Sequence, residues 1–287
     1  MFYRFIKRFG GTYFRLRVLF GMVDIPQLTI ILTTKCTLKC ESCSNLMQYF
    51  LPNEHFDTSF MRLQNDMEAL LSAVSSIGFV HVIGGEPLLF KELPQVMSYL
   101  AKQPQIKGVE LITNGTKSFS DELLDSLCYD KTRVIISDYS TNPALIKRLK
   151  HDEILHLLKE RNIKYLFYHS NSLWRDVGKI FKRNRPKELI VKNYHACKMP
   201  CISLIGGNNN TLGGIFVCPI AAGLSKLRNK EEFDGDFVSL HSKTLRKDII
   251  SFYRQDFYKA CDYCPNLWEG VGEIPVALQT TRTLRLE

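Results

Sequence analysis

No stretch of the 287-residue chain approaches the ~20 consecutive apolar residues that a membrane-spanning helix requires. No internal repeat is visible, so a solenoid or repeat array is not expected. The first twenty residues, MFYRFIKRFGGTYFRLRVLF, contain no acid. Their longest apolar run, Val18 to Val23, falls short of the ~7–15 residues of a secretory signal core. A secretion signal is therefore not expected, and the cytosol is the expected compartment. No nucleic-acid-reading motif accompanies the net charge of +9, so a nucleic-acid partner is not expected. Disorder is excluded by composition: 45% of residues are apolar and only 23% charged, enough for a sizeable core.

Nine cysteines stand out against this background. In a reducing cytosol they point to metal ligation or catalysis rather than to a disulfide framework. Residues 1–24 form a basic, aromatic arm. It suits either packing on the main domain or an anionic membrane surface; Gly10-Gly11 interrupts any long amphipathic helix. From residue 25, short apolar runs alternate with helix-period segments. Strands are expected at Gln27–Thr33, Ile77–Ile83, Val109–Thr113, Arg133–Ser137 and Lys164–Tyr168. Helices are expected between them at 57–75, 91–102, 120–128 and 142–161. This alternation predicts βαβ units around a parallel sheet, wound open or closed into a partial or full barrel. After about residue 185 the helical periodicity stops. A hairpin of Ser203–Ile205 and Ile215–Val217 and a helix over 242–259 then suggest a second, smaller module over 186–287.

Cys36, Cys40 and Cys43 form C-x3-C-x2-C directly after the first expected strand. Three thiolates on one short loop suit three irons of a [4Fe–4S] cube and leave the fourth iron open to a ligand, as a catalytic zinc keeps one position free. Zinc fits less well, for want of a nearby fourth ligand. The second strand ends in Gly84-Gly85-Glu86-Pro87, about forty residues on. Together these motifs resemble the radical S-adenosylmethionine superfamily. Ser42 departs from the aromatic residue that the family often has before its third cysteine. The resemblance implies a partial (β/α)6 TIM-like barrel, an α/β fold. It also implies S-adenosylmethionine chelated to the open iron. Reductive cleavage would then give a 5′-deoxyadenosyl radical that takes a hydrogen atom from substrate. A low-potential electron donor such as flavodoxin or ferredoxin follows from the same chemistry.

Catalytic groups of barrels come from the C-terminal ends of strands. The resemblance assigns Gly84, Gly85 and Glu86 to the methionyl amine and, by position, Ser137 to cofactor contact. Asn114, in Thr113-Asn114-Gly115, is a further cofactor candidate, while Asp138 and His169 are candidates for substrate contact and catalysis. Ordinary turn chemistry would also account for several of these residues.

Cys197, Cys201, Cys218, Cys261 and Cys264 fall in the small module. This layout resembles the Twitch or SPASM module, whose C-x9–15-G-x4-C signature is met from Cys201 or from Cys197 to Cys218. One auxiliary [4Fe–4S] cluster is implied, with a zinc ribbon as the alternative. One of Cys197 and Cys201 is then spare. Cys201 is a candidate hydrogen-atom donor to a substrate radical, as in epimerases of similar layout. Cys128 is expected to be a buried structural thiol. The run Lys179–Lys187 carries five positive charges, suited to a phosphate or to a solvated loop. Only some 25 residues precede the first strand, which argues against a peptide-recognition domain. The expected substrate is therefore a small molecule: a sugar, a cyclitol or a phosphorylated or nucleotide-linked sugar, undergoing dehydrogenation or epimerisation. A peptide maturase, or a non-catalytic iron–sulfur or zinc protein, is the alternative.

Overall fold

The computed structural model describes residues 16–17, 19–169, 173–197, 202–206, 213–228, 230–233, 235–265, 271–281 and 283–286. Most of the N-terminal arm, Cys201 and the Asn-rich hairpin tip lie outside the described residues.

Five parallel strands alternate with helices, as the apolar runs predict. They are β1 (Asp24–Ile31), β2 (Ser76–Ile83), β3 (Ile106–Thr113), β4 (Thr132–Asp138) and β5 (Tyr165–His169). The intervening helices are α1 (Phe60–Ala73), α2 (Leu93–Lys102), α3 (Asp121–Ser126) and α4 (His151–Glu160). Ser120 caps α3, its hydroxyl accepting from Leu123 N at 3.3 Å. Ser59 caps α1. Asp57 is bonded to Thr33 and paired with Lys35 beside the C-terminal end of β1. The segment expected to be helical over 142–161 is interrupted. Residues 146–148 form a 3-10 turn, and the α-helix begins only at His151.

The period of two decides what each strand face meets. Val80 and Val82, Val109 and Leu111, and Val134 and Ile136 are fully buried with Met67, Leu70, Val96, Met97 and Leu100 of the helices. The opposite face carries a polar ladder. Gln27 Nε2 lies 3.2 Å from His81 Nδ1, His81 Nε2 lies 2.8 Å from Glu110, and Arg133 pairs with Glu110. Phe79, Leu166 and Tyr168 are exposed. A sheet with helices on one face and polar residues on the other is the half-barrel expected of an α/β fold of this kind.

The sheet does not stop at β1. Two short strands, β6 (Leu173–Arg175) and later β10 (Glu273–Pro275), form a separate antiparallel ribbon. The helix α5 (Lys187–Ala196) leads toward β7 (Ile202–Ile205), which pairs in parallel with the outer edge of β1 from Leu28↔Ile202 to Ile31↔Ile205. β8 (Gly214–Phe216) and β9 (Phe237–Ser239) continue it antiparallel. The order is β5-β4-β3-β2-β1-β7-β8-β9. The sixth parallel strand thus joins on the β1 side of the sheet. Two helices, α6 (Pro219–Leu227) and α7 (Leu245–Tyr253), complete the module. The periodicity argument misses α6 because residues 219–225 are all buried, so no polar stripe marks a helical period. The predicted helix over 242–259 is shorter at both ends, and Lys259–Asp262 forms a separate 3-10 turn.

Candidate active site and second cysteine cluster

The first cysteine loop leaves the C-terminal end of β1 and lies against the Gly84-Gly85 turn. Gly85 N donates to Thr33 O at 2.7 Å and Glu86 N to Lys35 O at 2.9 Å. A Cβ at Gly84 would stand 2.8 Å from the Thr33 carbonyl oxygen, and one at Gly85 would overlap the Lys35 carbonyl. The glycines are therefore required by the approach of the cysteine loop itself.

A cavity of about 360 Å³ opens at this point. Cys36, Cys40, Cys43, Gly84, Gly85, Asn114 and Ser137 line it, all of them candidates from sequence. The remaining candidates stand elsewhere. Glu86 is fully buried beneath the turn. Its carboxylate accepts from Thr113 Oγ1 at 2.8 Å, Asn114 N at 2.9 Å and Leu88 N at 3.2 Å. Burial, only partly offset by those donors, pushes its carboxyl up to about 7. Asp138 and His169 pair with each other, Oδ2 to Nδ1 at 2.6 Å, on the helix-covered side of β4 and β5. Neither reaches the cavity, because alternation turns Ser137 inward and its neighbour Asp138 outward.

Tyr139, Trp174 and Arg175 also line the cavity and were not among the sequence candidates. Tyr139 and Trp174 meet edge to face with centroids 5.6 Å apart. Trp174 and Arg175 come from the β6–β10 ribbon, whose three-residue strands carry no legible period. Ser42, in the family's aromatic position, is buried. It bonds to Asp176 and accepts from Val177 N at 3.1 Å, so it ties the cysteine loop to the segment after β6.

The thiols sit among N–H donors. Cys36 Sγ accepts from Leu38 N at 3.4 Å and from Asn114 Nδ2 at 3.7 Å. Cys40 Sγ accepts from Gln279 Nε2 at 3.3 Å. Leu46, at φ 62°, turns the chain so that the amides of residues 45–47 serve Cys43. Burial, with neighbouring thiols adding to it, pushes Cys36 and Cys40 up to about 12. As thiolates they need a bound cation.

In the module, Cys197 at the end of α5, Cys218 at the N-cap of α6, and Cys261 and Cys264 after α7 line one cavity with Tyr194 and Ile220. Cys201 lies outside the described residues. Burial pushes Cys261 and Cys264 up to about 12 as well. Among the described residues no three Cys, His, Asp or Glu side chains are preassembled around a point for an ion. The thiols converge on two cavities instead, and an all-sulfur donor set with N–H···S bonds fits iron–sulfur ligation.

The loop bearing Cys261 and Cys264 is clamped from both sides. The buried Asp236 carboxylate accepts from Lys259 N at 2.7 Å and Ala260 N at 2.6 Å. Asp262 accepts from Asn184 N and Arg185 N, both at 3.0 Å. Arg185 Nη1 donates to Cys264 O at 2.9 Å and Cys261 O at 3.3 Å, and Arg183 reaches Tyr263 O. Two charges of the basic run thus hold the cysteine loop. Cys128, expected to be buried, is exposed near the end of α3, where its thiol donates to Leu124 O.

A half-barrel whose strand-end cavity gathers three thiols and a glycine turn is suited to hold an iron–sulfur cluster. Residues 30–137 match the Radical SAM superfamily, and the chain carries a radical S-adenosylmethionine domain. That family implies a [4Fe–4S] cluster and S-adenosylmethionine. Among curated relatives, a GTP 3′,8-cyclase of Syntrophomonas wolfei is 32% identical over 133 residues, 39% of this chain and 38% of that protein. A probable GTP 3′,8-cyclase of Sulfolobus acidocaldarius is 31% identical over 46% of this chain and 40% of its own length. The chain thus spans about two fifths of the length of these relatives. A solved structure titled BtrN in complex with AdoMet and 2-DOIA covers 91% of this chain and 97% of its own, with a TM-score of 0.50 and 14% identity. That likeness concerns the fold. Among the described residues no helix is long and apolar enough to cross a membrane.

Proposed function

We propose that this protein is a two-cluster radical S-adenosylmethionine enzyme acting on a small hydroxylated ring compound: a sugar, a cyclitol or a nucleotide-linked sugar. The observation that carries this reading is the convergence of Cys197, Cys218, Cys261 and Cys264 on one cavity. In this reading residues 25–185 form the radical half and residues 186–287 the auxiliary-cluster module, with 1–24 as an arm. Cys36, Cys40 and Cys43 hold the first cluster. The turn at Gly84-Gly85, with Asn114 and Ser137, meets the cofactor, and Tyr139 and Trp174 offer it an apolar wall. When bound, the cluster and S-adenosylmethionine supply a 5′-deoxyadenosyl radical for hydrogen abstraction.

The chain's own residues position and shield that chemistry. The ribbon bearing Trp174 borders the cavity and restricts water, and Arg175 lines it beside Trp174. Glu86 acts as a positioning residue behind the turn. With Cys197 taken as a ligand beside Cys218, Cys261 and Cys264, Cys201 is left as the spare thiol of this reading and the candidate hydrogen donor of an epimerase. A small low-potential donor, flavodoxin or ferredoxin, would reduce the first cluster.

The relatives favour a second substrate reading. Proteins called GTP 3′,8-cyclase align with this chain at 28–35% identity, so a nucleoside triphosphate belongs in the same test. The test is anaerobic reconstitution with iron and sulfide counts, then reduction with S-adenosylmethionine and candidate substrates. About eight irons, and deuterium passing from a labelled sugar or cyclitol into 5′-deoxyadenosine, are expected. Consumption of GTP alone would replace the sugar reading by the nucleotide one. Absence of any S-adenosylmethionine cleavage would overturn the enzymatic reading.

A further inference from the structure

The C-terminal segment, far outside the matched residues 30–137, lies along the first cysteine loop as an antiparallel strap. Glu41 N donates to Leu278 O at 2.7 Å and Thr280 N to Lys39 O at 2.8 Å, on either side of the bridge between Cys40 and Gln279. Asn142 anchors the strap from below, its Nδ2 donating to the carbonyls of Val276 and Ala277 at 3.0 Å each. Lys39 Nζ reaches Thr283 Oγ1 at 2.6 Å, and Leu284 N donates to Gln48 O at 2.9 Å.

The orientation of the Gln279 amide is fixed by its neighbours. Lys39 N can only donate, and it lies 2.9 Å from Oε1. Ala277 O can only accept, and it lies 2.6 Å from Nε2. The second Nε2 hydrogen is thereby aimed at Cys40 Sγ, 3.3 Å away. Asn114 is placed by the same logic on Cys36: Thr116 N and Oγ1 occupy its Oδ1, leaving Nδ2 for Thr37 and the thiol.

We propose that Gln279 is a positioning residue for the first cluster, with its amide donating to the cluster-bound Cys40 sulfur, and that the strap thereby makes the chain's C-terminal end part of the radical site. The inference rests on the assignment of the first cluster to Cys36, Cys40 and Cys43. An N–H···S bond draws charge from a ligating sulfur, favours the reduced cluster and raises its potential. It also holds the ligand in place, and loss of such a partner weakens metal binding about 10–100-fold.

The test uses the reconstituted full chain with Gln279→Met, which keeps the length and removes the donor, and Gln279→Glu, which keeps the acceptor for Lys39 N. Reductive titration followed by electron paramagnetic resonance reads the first cluster's potential, and a chelator assay reads iron release. Both variants are expected to load iron fully, to shift that potential negative, and to lose iron from this cluster about tenfold faster. The auxiliary-cluster signal is expected to stay in place. Variants that match the wild type in both potential and iron release would overturn the inference. Replacement of all three loop cysteines by Ala with no loss of iron would instead overturn the cluster assignment beneath it.

Discussion

Replacing Glu86 with Gln gives a sharp test of what the GGEP turn does. The wild-type carboxylate satisfies three donors while fully buried. A glutamine can keep its carbonyl toward Thr113 and Leu88, but its amide then faces the Asn114 N–H, donor against donor. One orphaned buried donor costs about 1–3 kcal/mol. The pH dependence has a definite sign. The folded carboxyl titrates at about 7 because of burial, against an ordinary value of 4.5. Between those values the folded state holds a proton that the unfolded state has lost. Wild-type stability therefore falls as pH rises through this window, by roughly 3 kcal/mol in all. The variant has no such loss. Its deficit is greatest near pH 5 and shrinks by about 2–3 kcal/mol by pH 8. Urea unfolding of the iron-free proteins across that range measures the gap. A gap independent of pH would refute the raised titration, and no gap near pH 5 would refute the clamp beneath the turn.

Other perturbations separate the parts of the site. Cys261→Ala should remove about half the iron while leaving reductive cleavage of S-adenosylmethionine; iron counts and 5′-deoxyadenosine release read this. Gly85→Ala forces a methyl into the Lys35 carbonyl, and overpacking of this kind costs about 1–3 kcal/mol. It should also abolish S-adenosylmethionine binding, measured by equilibrium dialysis. His169→Ala should leave cleavage within a few-fold of wild type, because its imidazole lies on the helix side of β5; a loss of 100-fold or more would place it in the chemistry after all.

The first cysteine loop and the Gly84-Gly85 turn were legible because their chemistry is local. Three thiols on one loop and a glycine pair at the next strand end need no tertiary information. The five parallel strands were legible because each is a short apolar run between helical periods. Asp138 and His169 misled because a strand end offers two faces and spacing alone does not say which residue turns inward. Trp174, Arg175 and Gln279 were hidden for another reason. They reach the site through a three-residue strand and an irregular strap, where partners about a hundred or more residues away decide the conformation. The basic run near residue 183 read as a phosphate site or a solvated loop, yet backbone carbonyls of the Cys261–Cys264 loop take two of its guanidinium groups.

The parallel pairing of β7 with β1 bears on how such a protein can be shortened. β1 leads into the first cysteine loop, and its other edge is covered by the module's own strand. Removing the module would leave Leu28, Ile30 and a row of unpaired amides on an open apolar border. Such borders recruit other chains. A fragment ending near residue 185 is thus expected to self-associate rather than persist as a minimal enzyme. The two thiol sets are spaced by a hydrogen-bonded ladder instead of a tether, so their separation should vary no more than the strands themselves.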